Sequence, residues 1–225
     1  MTIGQLSTLT ITAIKVYIDV RQIDRDSLPH MVECLRRIAL TQWHTLQARL
    51  VAKWWGVHLG SGCSFNGDPV FRRYPSSQIS IGAGCWFNSS HASNLIGVNR
   101  PCIVSTLTEG AEIEIGPNCG FSGTIIGCAS RIELGANVRC GANTVITDTD
   151  WHTDDPRTGP DAPVTIGNGV WLGFNVTVLK GVTIGENTFI VAGSMVSRSL
   201  PANAVAGGIP AMVFKQTNFR QSGAE

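Results

Sequence analysis

The stretch "ITDTDWHTDDPRTGPDAP", residues 146–163, gathers five of the chain's sixteen acidic residues around a single histidine, His152. Imidazole is the side chain whose ordinary pKa lies near neutrality, so it can take a proton from a hydroxyl or an amine at physiological pH. Such a base needs a partner that fixes its tautomer and stabilises the imidazolium that forms. Asp148 and Asp150 stand four and two residues before His152, and strand alternation would put all three side chains on one side of the backbone. Asp154, Asp155 and Asp161 are less constrained alternatives. On residue types alone, a histidine among acids reads first as a solvated bystander.

The elements that must hold this stretch are set by a repeat. Ile166, Leu172, Val178, Ile184, Ile190 and Val196 stand six apart, and Val164, Val170, Val176 and Val182 form a second series two residues earlier. Gly169, Asn175, Asn187 and Gly193 follow the first series at a fixed offset of three. Upstream, Gly62, Gly84, Asn118, Asn137 and Asn143 repeat that offset after Leu59, Ile81, Ile115, Leu134 and Cys140. Gly and Asn tolerate positive φ, so the spacing predicts a sharp corner every six residues. β-branched residues between the corners favour short extended segments. Three segments make one triangular coil, with stacked coils paired in parallel about 4.8 Å apart. Leu134, Cys140 and Ile146 keep this phase, and the next in-phase position is His152. The following one, Ile166, comes fourteen residues later instead of twelve. The chain therefore leaves the coil in a loop of about a dozen residues, where Pro156, Gly159, Pro160 and Pro163 disfavour regular structure.

Composition agrees with many short strands and tight turns: 25 glycines, 7 % aromatic and 15 % charged residues among 225. A net charge of +1 argues against broad attraction to nucleic acid. Seven cysteines without a C-x-x-C pair, and no secretory signal, are read as reduced thiols in the cytoplasm, mostly filling core positions. A zinc lyase on this kind of coil would need three histidine ligands, and His152 has no histidine within sixty residues, so no metal is expected.

The stretch "PVTIGNGVWLGFNVTVLKGVTIGENTFIVAGSMVSRSLPANAVAGGIPAMVFK", residues 163–215, resembles the hexapeptide-repeat acyltransferases. The upstream "GPNCGFSGTIIGCASRIELGANVRCGANTVITDTDWH" is similar to their polysaccharide-cluster sugar O-acetyltransferase branch, related to maltose and galactoside acetyltransferases. The resemblance implies an all-β solenoid, a left-handed parallel β-helix. It also implies a homotrimer with active sites between subunits and acetyl-CoA as acyl donor. It turns His152 from a bystander into the general base, since the family's catalytic histidine lies just before this loop. Where the maltose and galactoside branch has a proline after the histidine, this chain has Thr153.

By the same resemblance Trp171 lines the cleft, and Ser122 and Asn118 lie in an earlier coil near the acceptor. Trp151 stacks on a sugar ring or packs the loop. Gly173 and Ala192 receive the pantetheine arm, and Ser197, Arg198 and Lys215 meet the nucleotide end, though Met212 stands where the family usually has a basic residue. The expected organisation is a partly helical N-terminal cap (1–56), the β-helix (57–210, loop 153–165) and a C-terminal tail (211–225). Between Pro29 and about Trp55 apolar residues recur at helical spacing, among them Met31, Leu35, Ile38, Leu46, Leu50 and Trp54. This helix is expected to cover the open end of the solenoid. A second reading has residues 30–56 touching the inner face of the cytoplasmic membrane near a lipid-linked acceptor. The earlier "LSTLTITAIKVYIDV" fits strand or helix. The expected function is acetyl transfer from acetyl-CoA to a sugar hydroxyl of a glycan precursor, by direct attack. An amino-sugar acceptor and a non-catalytic scaffold are the alternatives.

Overall fold

A computed structural model describes residues 25–152 and 154–216; the expectations for 1–24, Thr153 and 217–225 fall outside them. The repeat becomes a left-handed parallel β-helix with three faces. The first face stacks His58–Leu59, Gln78–Ile81, Glu112–Ile115, Arg131–Leu134, Val164–Ile166 and Thr183–Ile184. The second stacks Ser64–Asn66, Trp86–Asn88, Gly120–Ser122, Arg139–Cys140, Trp171–Leu172, Phe189–Ile190 and Ala204–Gly208, and closes with an antiparallel strand, Ala211–Gln216. The third stacks Val70–Arg72, Ile103–Thr106, Ile125–Cys128, Val145–Thr147, Thr177–Val178 and Met195–Val196.

The register follows the apolar phase. Leu134, Ile166 and Ile184 are successive partners, as are Cys140, Leu172 and Ile190, and Ile146, Val178 and Val196. All of these side chains are buried. Phe65, Phe87 and Phe121 occupy the same column nearer the N-terminus and stack with ring centroids 4.8 Å apart. Every Gly and Asn singled out as a corner, from Gly62 to Gly193, has positive φ. The coils approach so closely at these edges that a Cβ on Gly116 would lie 2.5 Å from the carbonyl carbon of Gly135. Only glycine allows that spacing.

Six of the seven thiols are buried and none is in a disulfide. Burial pushes the Cys140 thiol up, which suits a core residue and not a nucleophile.

The helix Ser27–Trp54 packs on the first coil, but through residues other than those expected. Ala48 and Ala52 are its only buried residues, and Thr45 Oγ1 accepts a hydrogen bond from the Phe65 amide at 3.0 Å. Leu35, Leu46, Leu50 and Trp54, read from the sequence as the packing face, are exposed. Small residues fit against an edge of backbone and Phe65, so the bulky ones turn away. Among the described residues no helix is long and apolar enough to cross a membrane.

Candidate active site

The last coil strand before the interruption is Val145–Thr147, and the first after it is Val164–Ile166. The loop therefore leaves the prism at the edge between its third and first faces. It is closed at its neck, where the Ala162 amide donates to the Asp148 carbonyl at 3.0 Å and the Gly181 amide donates to the Ala162 carbonyl at 2.9 Å.

Asp148 does not face His152. Its carboxylate is fully buried and accepts hydrogen bonds from the amides of Ala129 (2.7 Å) and Ser130 (2.8 Å) and from Cys128 Sγ (3.2 Å). The carboxylate fastens the loop's first residue to the corner of the preceding coil. Its negative charge, together with burial as the larger cause, pushes the Cys128 thiol up.

Asp150 is also occupied elsewhere. Lys180 Nζ donates to Asp150 Oδ2 at 2.6 Å and to the Gly159 carbonyl at 2.8 Å, tying both limbs of the loop to the next coil. The Lys180 ammonium holds the Asp150 carboxyl below the usual carboxylate range. Alternation failed as a guide because the strand ends at Thr147 and Trp151 takes positive φ, 69°. The Trp151 indole lies across Gly127, where a Cβ would sit 2.4 Å from its Cζ2, and its Nε1 donates to Thr147 Oγ1 at 3.1 Å. The side chain stays 50 % exposed, so this packing leaves part of the indole open to solvent.

His152 is exposed, and its carbonyl accepts from the Asp155 amide (3.0 Å) and Thr158 Oγ1 (3.2 Å), which fixes the backbone beneath it. Among the described residues its imidazole has no hydrogen-bond partner. Asp155 pairs with Arg157, and one buried oxygen of Asp161 lacks a partner among the described residues.

The remaining residues distribute over two other edges. Asn118 is a corner residue with φ 57°, exposed at the turn between the first and second faces. Ser122 is buried, its hydroxyl accepting from Asn88 Nδ2 (3.1 Å) and Asn94 Nδ2 (3.2 Å). Gly173 and Ala192 stack at the edge between the second and third faces; a Cβ on Gly173 would lie 2.6 Å from the Ala192 amide. Ser197 and Arg198 are exposed after the last third-face strand, and Lys215 pairs with Val205 at the C-terminal end. Trp171 points outward as expected, half-exposed, its ring tilted 45° against Phe189 at 4.8 Å. Along one chain, the edge of Gly173 and Ala192 is thus a full face away from the loop of His152.

Two features escaped the sequence reading. Lys180 is the single charged residue between Val164 and Gly185, a signal visible beside an acid-rich loop. A second loop, residues 89–102, folds back along the coil so that the Asn99 amide donates to Asn143 Oδ1 (3.1 Å) and Asn143 Nδ2 to the Gly97 carbonyl (2.8 Å). Because Lys180 ties the loop, Lys180→Met should speed proteolytic cleavage within residues 154–160 several-fold while shifting Tm little, measured by limited proteolysis and a thermal melt. Asp150's folded-state pKa is lowered, so its tether is fully present above the unfolded carboxylate value and lost as pH falls through the folded one. The tether therefore persists through the range, about pH 5 to 8, where histidines change charge.

Residues 163–198 match the family model described as bacterial transferase hexapeptide (six repeats). The galactoside O-acetyltransferase of Escherichia coli K12 is 38 % identical over 117 residues, 49 % of this chain and 57 % of that one. The putative lipopolysaccharide biosynthesis O-acetyl transferase WbbJ of the same strain is 34 % identical over 106 residues, 41 % and 54 % of the two chains. The chain thus spans about half the length of these curated relatives. A point mutant of AntD, an N-acyltransferase from Bacillus cereus solved with dTDP and coenzyme A, shares the fold. It aligns with a TM-score of 0.58 at 18 % identity, covering 76 % of this chain and 89 % of its own.

Proposed function

We propose that this protein is an acetyl-CoA-dependent O-acetyltransferase acting on a sugar hydroxyl during surface polysaccharide assembly in the cytoplasm. The observation that carries the proposal is His152: an exposed imidazole on a loop clamped at its neck, rising from a rigid hexapeptide prism. An imidazole nitrogen takes the hydroxyl proton as the oxygen attacks the thioester carbonyl carbon. The carbon–sulfur bond then breaks, coenzyme A leaves, and the proton returns to its sulfur. Gly173 and Ala192 offer a side-chain-poor edge along which a pantetheine arm can lie against backbone, with Ser197, Arg198 and Lys215 toward the nucleotide. Trp151, Trp171, Ser122 and Asn118 are assigned to the acceptor side, Ser122 acting through its Asn88 and Asn94 contacts.

Two observations support assembly as a homotrimer. The donor edge and the His152 loop are a full face apart in one chain, so a shared site needs a neighbouring chain. The third face between them carries a half-buried outward row, Val70, Ile103, Ile125, Val145, Thr177 and Met195, suited to packing against another copy. The neighbour is then also where His152 finds its orienting group.

The test is a thermal melt with acetyl-CoA, followed by thiol release with a panel of sugars. Ligand at about a hundred times its Kd stabilises by about 2.7 kcal/mol, which for a chain of this size is roughly 5–10 °C in Tm. Absence of any shift at millimolar acetyl-CoA would leave a scaffold as the surviving reading. Thiol release only with amino sugars would move the acceptor from hydroxyl to amine.

A further inference from the structure

The helix Ser27–Trp54 has two unlike faces. One, with Ala48, Ala52 and Thr45, lies on the first coil. On the opposite side Leu28, Val32, Leu35, Trp43, Leu46, Leu50 and Trp54 recur at whole-turn intervals along a rod about 42 Å long. These seven are between 46 % and 85 % exposed. A stripe of that length and size is far more apolar surface than an isolated exposed side chain, and such surfaces mark interaction sites.

The charge along the helix says what would cover it. Arg36, Arg37, Arg49 and Lys53 stand against one acid, Glu33, which is already paired with Arg36. Arg49 and Lys53 are exposed beside the stripe, and neither makes an ion pair among the described residues. Glu33, the one acid of the helix, is already paired, so the helix of a second copy laid on this face offers these cations no free carboxylate. An anionic lipid surface complements both features, since leucines and tryptophans sink to the acyl boundary while flanking lysine and arginine meet the headgroups.

We infer that the outward face of helix Ser27–Trp54 is a docking surface for an anionic membrane. The small residues that seat the helix on the solenoid leave its bulky ones free for lipid, so one element serves as cap and as anchor. Binding of this kind is peripheral and reversible, and it is read without turnover, so it stands or falls separately from acetyl transfer.

The experiment is flotation of the full-length protein with vesicles of phosphatidylcholine alone and with about 30 % phosphatidylglycerol added. The protein should float with the anionic vesicles at low salt. The paired change Leu46→Glu with Leu50→Glu should weaken partitioning by at least about tenfold, while melting and the acetyl-CoA shift stay as in the parent. Arg49→Glu with Lys53→Glu should abolish the preference for phosphatidylglycerol, and it decides the matter alone if the leucine variant does not fold. Failure to float with either vesicle overturns the inference. So does binding that emerges only after removal of residues 1–24, which would then be the cover. A drop in solution mass of the leucine variant by light scattering overturns it too, assigning the face to a second copy.

Discussion

His152→Ala is expected to lower kcat by about two to four orders of magnitude in a thiol-release assay with acetyl-CoA and the best sugar acceptor. Two features make the loss clean. The imidazole is exposed and makes no hydrogen bond among the described residues, so its removal leaves no buried group unpaired. The groups that shape the loop around it are backbone and other side chains: the His152 carbonyl, the Asp148–Ala162 neck and Lys180. Tm and solution mass should therefore stay within error of the parent, and the acetyl-CoA shift should survive. His152→Gln, which keeps polarity without a usable base, should be nearly as inactive. A variant retaining more than about a tenth of the parent rate would remove His152 from the chemistry. The proposed function would then need another base in the same cleft.

Much of the fold was legible because the repeat is local and redundant. An inward apolar residue, a positive-φ corner and a short extended segment recur within every six positions, and each was confirmed by register or by φ. What lay outside the repeat was less legible, for physical reasons. In helix Ser27–Trp54 the apolar period was right, but its sense was reversed: a stripe of large residues looks the same whether it faces the solenoid or solvent. The decisive signal was the small-residue face, Ala48 and Ala52, which periodicity weighs lightly. The loop 89–102 was hidden because Asn88 and Cys102 both keep plausible repeat positions on either side of it. At the site, the exit point was legible from phase alone. The partners were not, because alternation holds only while the strand lasts, and a single left-handed residue, Trp151, rotates everything after it.

Asp148 shows what that distinction predicts. Read from spacing, it is a catalytic partner whose loss lowers kcat and leaves stability alone. In the structure it is a buried carboxylate that accepts from two amides and a thiol at the corner 128–130. Asp148→Ala would strand the Ala129 and Ser130 amides and open a small void beside Cys128. Hydrogen bonds to a charged acceptor are the stronger kind, and a buried donor left unmade costs its full desolvation. The expected loss is therefore on the order of 3 kcal/mol, or about 6–12 °C in Tm for a chain of this size. Asp148→Asn should fall between parent and alanine, because an amide keeps one acceptor oxygen but turns a donor toward another donor. Measured below the lowered Tm, kcat of the alanine variant should drop far less than that of His152→Ala, since the Ala162 amide still closes the neck on a backbone carbonyl. A thermal melt and initial rates on the same preparations separate the two roles. An unchanged Tm with a kcat loss matching His152→Ala would return Asp148 to the catalytic machinery.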